Sequence, residues 1–241
     1  MPVEGSKDEQ KQTNEIGMFT ALLDAIEIKG KLITADALLT QRKLAQYVVQ
    51  RGADYHFTAK GNQATLQNDI ALLFRNRKAP DFIEVSPPDH GRIETRRIWC
   101  SQALDGYLDF PHVGQTFLIE REVFHKKNGH QSLEVAVGLT SLTPAQANAE
   151  QVLIANRGHW TIENRCHWVI GWNYDEDRSR IRTGFGPENV TRLRRFAVGV
   201  LTLCSDGKTS ITEKMAKLNR NTRMVFDYLR MTKNSTRQAT A

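Results

Sequence analysis

The order of the hydrophobic patterns limits the fold of this chain more than any other feature of the sequence. Apolar positions at helical spacing over residues 18–29 and 40–50 alternate with short apolar runs at Lys31–Ala35 and Tyr55–Ala59, and a further helix is predicted over Ala64–Arg75. Strands that alternate with helices are typical of an α/β layer with parallel strands. Residues 18–80 therefore predict an α/β core that contains a parallel strand pair.

The pattern changes to a period of two after residue 80. Alternating runs occur at Glu94–Cys100, Gln115–Phe124 and Leu133–Leu139. Asn128-Gly129 between the last two runs favours a tight hairpin, because both residues tolerate a positive φ. We therefore predict an antiparallel β insertion over residues 81–142.

The helical period returns at Pro144, which can occupy the first helical position behind Thr143 as N-cap. Four helices are predicted, at about 144–156, 159–170, 187–204 and 211–230. The resulting division is a polar lead (1–17), the α/β core (18–80), the β insertion (81–142), a helical region (143–205), and C-terminal helices with a tail (206–241).

Composition excludes several classes of protein. Apolar residues make up 40% of the chain and charged residues 25%, which is enough to form a real core. No apolar run approaches the ~18 residues of a membrane span, and Met1–Ile16 lacks the apolar centre of a signal peptide. The three cysteines are odd in number and far apart, and they show neither a disulfide framework nor a CxxC zinc site. We expect a cytoplasmic protein without membrane contact.

Positive charge is concentrated in the last third of the chain. Residues 157–241 contain 16 Lys and Arg residues against eight Asp and Glu residues, a balance of +8, whereas residues 1–156 carry 17 against 19, a balance of −2. Arginine forms bidentate contacts with phosphate, so this region predicts binding to double-stranded DNA; a solvated basic helix face is the alternative. The candidate side chains are Arg178, Arg180, Arg182, Arg192, Arg194 and Arg195, with Lys60 as a further candidate in a turn after a strand.

Two carboxylates are candidates for metal binding. Asp36 directly follows a buried strand, where open α/β sheets bind ligands, although an N-cap or turn role is the common alternative there. Glu163 shares a helical face with His159 and His167 at i, i+4 and i+8. These three side chains could instead bind zinc, or form a polar surface row beside a buried tryptophan-rich face.

Six motifs in this order make the chain resemble bacterial insertion-sequence transposases, within the subgroup of H-repeat-associated proteins found near Rhs elements. The resemblance covers about Glu15 to residue 204. The motifs are Ile33–Ala37 with Thr40-Gln41, Asp54-Tyr55 with Ala59–Gln63, His90–Arg97, Arg157–Trp160 with Glu163-Asn164, His167-Trp168, and Glu176-Asp177 with Ser179–Arg182.

The resemblance implies an RNase H-like fold and a DDE active site, in which two Asp and one Glu bind two Mg²⁺ ions, with Mn²⁺ as a possible substitute. Asp36 matches the second Asp of the family and Glu163 matches the Glu. Two metals can activate a nucleophile and stabilise the leaving oxygen in attack on a DNA phosphodiester. His159 is then expected to flank the site or face phosphate.

The departures from the family pattern are informative. The family's first Asp lies in an earlier strand, whereas only 35 residues precede Asp36 here and neither Asp8 nor Asp24 follows an apolar run. Gly171 stands where relatives usually carry Asp. We therefore expect an N-terminally truncated RNase H-like core with an incomplete metal site, and a transposase remnant. The alternative is an inactive module that binds DNA, a second copy of itself or a full-length transposase.

Overall fold

The computed structural model describes residues 17–88, 91–162, 167–204 and 209–232. The chain divides into two compact units, Met1–His159 and Trp160–Ala241. No helix within the described ranges is long and apolar enough to cross a membrane.

The first unit contains a six-stranded sheet in the order β1-β2-β6-β5-β4-β3. The strands are β1 (Leu32–Ala35), β2 (Asp54–Ala59), β3 (Phe82–Val85), β4 (Arg92–Ser101), β5 (Gln115–His125) and β6 (Gln131–Thr140). The predicted parallel pair is confirmed, with Ile33 of β1 opposite Tyr55 of β2. The other neighbouring strands are antiparallel, as predicted for the insertion. The sequence patterns did not indicate β3.

The insertion extends the sheet of the α/β core. β6 pairs antiparallel with β2, which places Thr140 opposite His56. The buried Thr140 hydroxyl also donates to the backbone oxygen of Tyr55, at 2.6 Å. The chain segment predicted as an insertion is therefore continuous with the core through main-chain hydrogen bonds.

Helices cover both faces of this sheet. They are α1 (17–24), α2 (Arg42–Gln50), α3 (Ala64–Leu73) and α4 (Ala149–His159), with 3₁₀ turns at Ala37–Leu39 and Gly61–Gln63. Tyr55 and Phe57 point into a core with Val48 and Ile70, from α2 and α3. Because side chains alternate along a strand, His56 lies on the opposite face, where it stacks on Phe117. That face packs against α4.

Two predicted helix ends in the first unit are wrong. The helix predicted over 18–29 ends at residue 24. The helix predicted from Pro144 begins at Ala149, since Asn148 and Gln151 cap it reciprocally: each side-chain oxygen accepts from the other residue's backbone N–H at 2.9 Å. This is a capping box, and it satisfies two backbone donors that the first turn leaves open.

The second unit contains α5 (Gly186–Leu203), α6 (Ile211–Arg220) and α7 (Thr222–Tyr228), and a π-helical turn at Val169–Asn173. Val169, Ile170 and Val198 form its core. The single helix predicted over 211–230 is broken at Asn221, whose backbone is extended (φ −140°, ψ 87°) and whose side chain caps α7 by accepting from the Met224 N–H. The helix predicted over 159–170 starts later than expected, because α4 continues to His159 and a turn follows at Trp160. Residues 161–162 and 167–170 are helical, and residues 163–166 lie outside the described part of the chain.

Candidate catalytic and nucleic-acid-binding site

Asp36 lies at the carboxyl end of β1, at the edge where open parallel sheets bind ligands. Its side chain is exposed and caps the 3₁₀ turn Ala37–Leu39, with Oδ1 accepting from the Leu39 N–H at 3.4 Å. Within the described part of the chain, Oδ2 has no hydrogen bond. Asp36 therefore acts as an N-cap, which was the alternative to a metal-binding role, and its carboxylate is still exposed to solvent.

Residues of two sequence motifs hold the loop that carries Asp36. The buried Thr40 hydroxyl lies 2.6 Å from the Thr58 backbone oxygen and 3.1 Å from that of Asp36, so it ties the end of β1 to β2. Asn62 Nδ2 donates to the Ala37 oxygen at 2.6 Å, and Gln63 Nε2 donates to the Thr40 oxygen at 3.2 Å. The loop after β2 therefore fixes the position of the loop after β1.

The sequence places Thr40, Asn62 and Gln63 in two of the family motifs, but it assigns them no function. These three side chains carry no charge, so they lack the usual sequence signal of a metal ligand or a phosphate contact. The sequence feature that could have identified them is their position directly after the two parallel strands. Polar side chains at neighbouring strand ends can form hydrogen bonds to the backbone of each other's loops. Lys60, a predicted phosphate contact, begins the same turn at the end of β2 and is exposed.

His159, the last residue of α4, contacts β1. Its Nδ1 lies 3.2 Å from Thr34 Oγ1, two residues before Asp36. Glu163 falls outside the described residues, as does Asp8, so the predicted pairing of Asp36 with Glu163 stays a prediction. The zinc alternative depends on Glu163 too; among the residues that are described, no three His, Cys, Asp or Glu side chains form a cluster.

A buried polar pair lies beneath α4. His56 Nε2 is 3.4 Å from Asn156 Oδ1, and both residues are buried. Burial, with a smaller contribution from the charge of His159, lowers the pKa of His56 to about 4. His56 is consequently a neutral interior side chain at physiological pH and takes no part in the exposed site.

The predicted arginine surface belongs to the second unit. Arg178, Arg180, Arg182, Arg192 and Arg195 are exposed, and two of them form ion pairs with near neighbours: Arg178 with Asp175 at 3.3 Å, and Arg192 with Glu188 at 2.5 Å. These pairs are solvent-exposed, so they contribute little to stability and leave the guanidinium groups accessible.

Arg194 differs from the other arginines. Its side chain is only 15% exposed and lies 3.6 Å from Glu176, whose Oε1 also accepts from the Thr191 hydroxyl at 2.5 Å. Arg194 thereby joins α5 to the acidic segment before it. The alternative of a buried tryptophan-rich face is not found, because Trp160 and Trp168 are exposed. Trp168 stacks on the exposed Trp172 with ring centroids 5.6 Å apart, and Val169 and Ile170 fill the core.

Comparison with known proteins shows consistent similarity. A family model described as "Transposase DDE domain" matches residues 5–192. The chain is 30% identical over 232 residues to "Putative transposase YncI" of Escherichia coli O157:H7, which covers 93% of this chain and 59% of that protein. It is 30% identical over 220 residues to "H repeat-associated putative transposase YhhI" of Escherichia coli K12, covering 86% and 57% respectively. A third relative, "H repeat-associated putative transposase YbfD" of the same strain, is 36% identical over 104 residues, 42% of this chain and 41% of that protein.

Proposed function

Because the chain belongs to the Transposase DDE domain family, we propose that it is a DNA-transposition domain in which Asp36 and Glu163 supply two carboxylates of a Mg²⁺ site. The chain spans a little under three fifths of the length of the first relatives it matches, so activity of a whole transposase is part of this proposal. When bound, divalent metal would assist cleavage and joining of DNA phosphodiesters, with Mn²⁺ as a substitute.

The observation that carries the proposal is the presentation of Asp36. Its carboxylate is exposed at the end of a parallel strand, on a loop fixed by Thr40, Asn62 and Gln63. A hard oxygen donor held at a constant position suits Mg²⁺, which demands near-ideal octahedral geometry. The donor chemistry of Asp36 therefore fits the ion that the family implies.

Chain connectivity supports Glu163 as the partner carboxylate. His159 contacts Thr34, two residues before Asp36. Four further residues can extend at most ~14 Å, so the Cα atom of Glu163 stays within that distance of the Cα atom of His159. This short separation along the chain is compatible with Glu163 as the partner carboxylate of Asp36.

The exposed arginines of the second unit would bind the DNA backbone. Arg178, Arg180, Arg182, Arg192 and Arg195 present planar guanidinium groups that match phosphate oxygens in pairs. Lys60 and His159 are further candidate phosphate contacts. Contacts of this kind orient the duplex but do not read its sequence.

A second candidate function is DNA binding without cleavage. Asp24 precedes Asp36, but it lies at the end of α1, hydrogen-bonded to the Tyr47 hydroxyl and 3.3 Å from Arg51, so it does not follow a strand. No third carboxylate is assigned among the described residues. On this ground we expect the isolated chain to bind DNA and to show no strand cleavage or transfer in Mg²⁺ or Mn²⁺.

Metal binding and nicking test the proposal together. Mn²⁺ binding is measured by electron paramagnetic resonance for the unaltered chain, Asp36→Asn, Glu163→Gln and the control Asp105→Asn, which changes an exposed loop carboxylate. Both site variants should weaken Mn²⁺ binding and the control should not. Unchanged binding in both site variants would contradict the assigned site.

Plasmid nicking then separates the two functions. Nicking that disappears in both Asp36→Asn and Glu163→Gln would establish an active transposase site and overturn the expected inactivity. Nicking that survives both changes would place the activity elsewhere or in a contaminant. Metal binding without nicking would favour the DNA-binding module.

A further inference from the structure

A cleft of about 530 Å³ opens on the face of the sheet that carries α4. Three arginines line it, Arg92, Arg96 and Arg157, together with Glu94, Ser86 and two prolines. We call these three arginines and the space between them the arginine cleft. It lies wholly within the first unit, whereas the arginines of the proposed DNA surface belong to the second.

Two separate sequence motifs converge at the arginine cleft. Arg92, Glu94 and Arg96 alternate along β4, so their side chains share one face of the sheet. Arg157 comes from the last turn of α4, which packs on that face. The motifs His90–Arg97 and Arg157–Trp160 contribute to the family resemblance, but the sequence assigned no chemical role to the three arginines.

Ion pairs fix two of the three guanidinium groups. Arg157 pairs with Glu84, while Arg96 pairs with Glu94 and donates to Ser86 Oγ at 3.1 Å. Arg96 is also 3.6 Å from Glu84. Held in this way, both groups keep one orientation toward the cleft, and binding an anion there costs little side-chain entropy.

The carboxylates of this face are already neutralised. Arg121 of β5 lies opposite Arg96 of β4, and it donates to Glu94 at 3.0 Å and to Glu134 at 2.9 Å. Burial alone would raise the pKa of Glu94, but the hydrogen bond and charge of Arg121, with Arg96, outweigh it and lower that pKa. Among the described residues, four arginines therefore face three carboxylates, and Arg92 forms no ion pair. The surplus positive charge lies at the cleft.

We propose that the arginine cleft binds a phosphate of the DNA backbone, as a contact separate from the metal site. The cleft is open to solvent, so a continuous polymer such as DNA can pass across it. It brings the positive charge of Arg92 beside the oriented guanidinium groups of Arg96 and Arg157, whose planar geometry matches phosphate oxygens. The inference rests on the proposed function only in taking DNA as the anion. It places a DNA contact on the sheet of the first unit.

The test compares DNA binding by variants that change one arginine each. Arg92→Ala removes the arginine that has no ion-pair partner within the described ranges, and Arg157→Lys keeps the charge beside Glu84 but removes the planar guanidinium group. Arg75→Ala is the matched control, because Arg75 is an exposed arginine of the same unit, outside the cleft. Affinity for a labelled duplex is measured by fluorescence anisotropy across a range of salt concentrations.

Arg92→Ala should weaken binding about five- to tenfold at ~0.1 M salt and reduce the salt slope by about 0.9, the amount expected for one phosphate contact. Arg157→Lys should weaken binding with the slope nearly unchanged, and Arg75→Ala should stay within about twofold of the unaltered chain. If Arg92→Ala and Arg157→Lys both behave like Arg75→Ala, the proposal is overturned.

Further outcomes separate this proposal from the proposed function. If replacing Arg178, Arg180 and Arg182 with Ala abolishes binding while the cleft variants bind normally, the second-unit surface stands and the cleft contact is refuted. The reverse result supports the cleft and refutes that surface. Absence of DNA binding by the unaltered chain overturns both. If Arg92→Ala weakens binding to polyglutamate as much as binding to DNA, the cleft belongs to an acidic protein partner and the proposal fails.

Discussion

The buried histidine of β2 makes the stability of the chain depend on pH. His56 is 2% exposed, stacks on Phe117 with ring centroids 4.5 Å apart, and lies within 3.4 Å of the Asn156 side-chain oxygen. Its pKa is lowered from 6.5 to about 4, chiefly because burial penalises the charged ring. The folded chain therefore holds His56 neutral at a pH where the unfolded chain protonates it.

The size of the effect follows from this difference in pKa. Between about pH 6.5 and pH 4 the unfolded state binds the additional proton, so the free energy of unfolding falls as the pH falls. Each pKa unit corresponds to about 1.4 kcal/mol, so His56 should remove up to roughly 3 kcal/mol of stability across this window. Above about pH 6.5 both states hold it neutral and its contribution is constant.

The assay is urea unfolding of the unaltered chain and His56→Gln, followed by circular dichroism at several values between about pH 7 and pH 4.5. The variant should be less stable at every pH but should lose less stability on acidification. Loss of stability from Glu94, whose pKa is also lowered, occurs in both proteins and cancels in the comparison. Equal pH slopes, or a nuclear magnetic resonance titration showing His56 charged near pH 6, would refute the reasoning.

Three further predictions concern the fold and the Asp36 loop. Gly138→Ala should destabilise the chain by about 3 kcal/mol or more, because the added Cβ would lie 2.3 Å from the Phe57 backbone oxygen and 2.4 Å from Phe117 Cζ. The control Gly199→Ala, at a position in α5 with open space for a Cβ, should be neutral or stabilising. Equal melting temperatures for the two variants would contradict this prediction. Thr40→Val should lower the free energy of unfolding by about 1–2 kcal/mol and weaken Mn²⁺ binding at Asp36. The control Thr65→Val, on the exposed side of α3, should leave Mn²⁺ binding unchanged. Normal Mn²⁺ binding by Thr40→Val would show that Thr40 does not position Asp36. Partial burial raises the pKa of Cys100 to about 12, with a smaller contribution from Asp81. A thiol reagent at about pH 8 should therefore modify Cys100 much more slowly in the folded chain than in urea; equal labelling rates in the two states, mapped by mass spectrometry, would contradict this.

The hydrophobic periods predicted the elements whose signals are local. β1, β2 and the hairpin of β5 and β6 are found at the predicted places, and Gly129 has a positive φ (66°) in the loop between β5 and β6. The position of Asp36 after a buried strand could also be predicted, because the end of an apolar run is visible in the sequence. Element boundaries were less accurate, since short-range caps such as Asn148 with Gln151 compete with Pro144 and Thr143 for the start of a helix.

The composition and order of the segments therefore determined an α/β chain with a parallel pair, an antiparallel region and a basic last third. Only the tertiary structure decided that β6 pairs with β2, that His56 is interior, and that Arg92, Arg96 and Arg157 share a cleft. Strand register and helix docking depend on contacts between residues far apart in the chain, and these have no local period. The sequence does not distinguish an arginine that faces solvent, as Arg180 does, from one that pairs with a half-buried carboxylate, as Arg194 does.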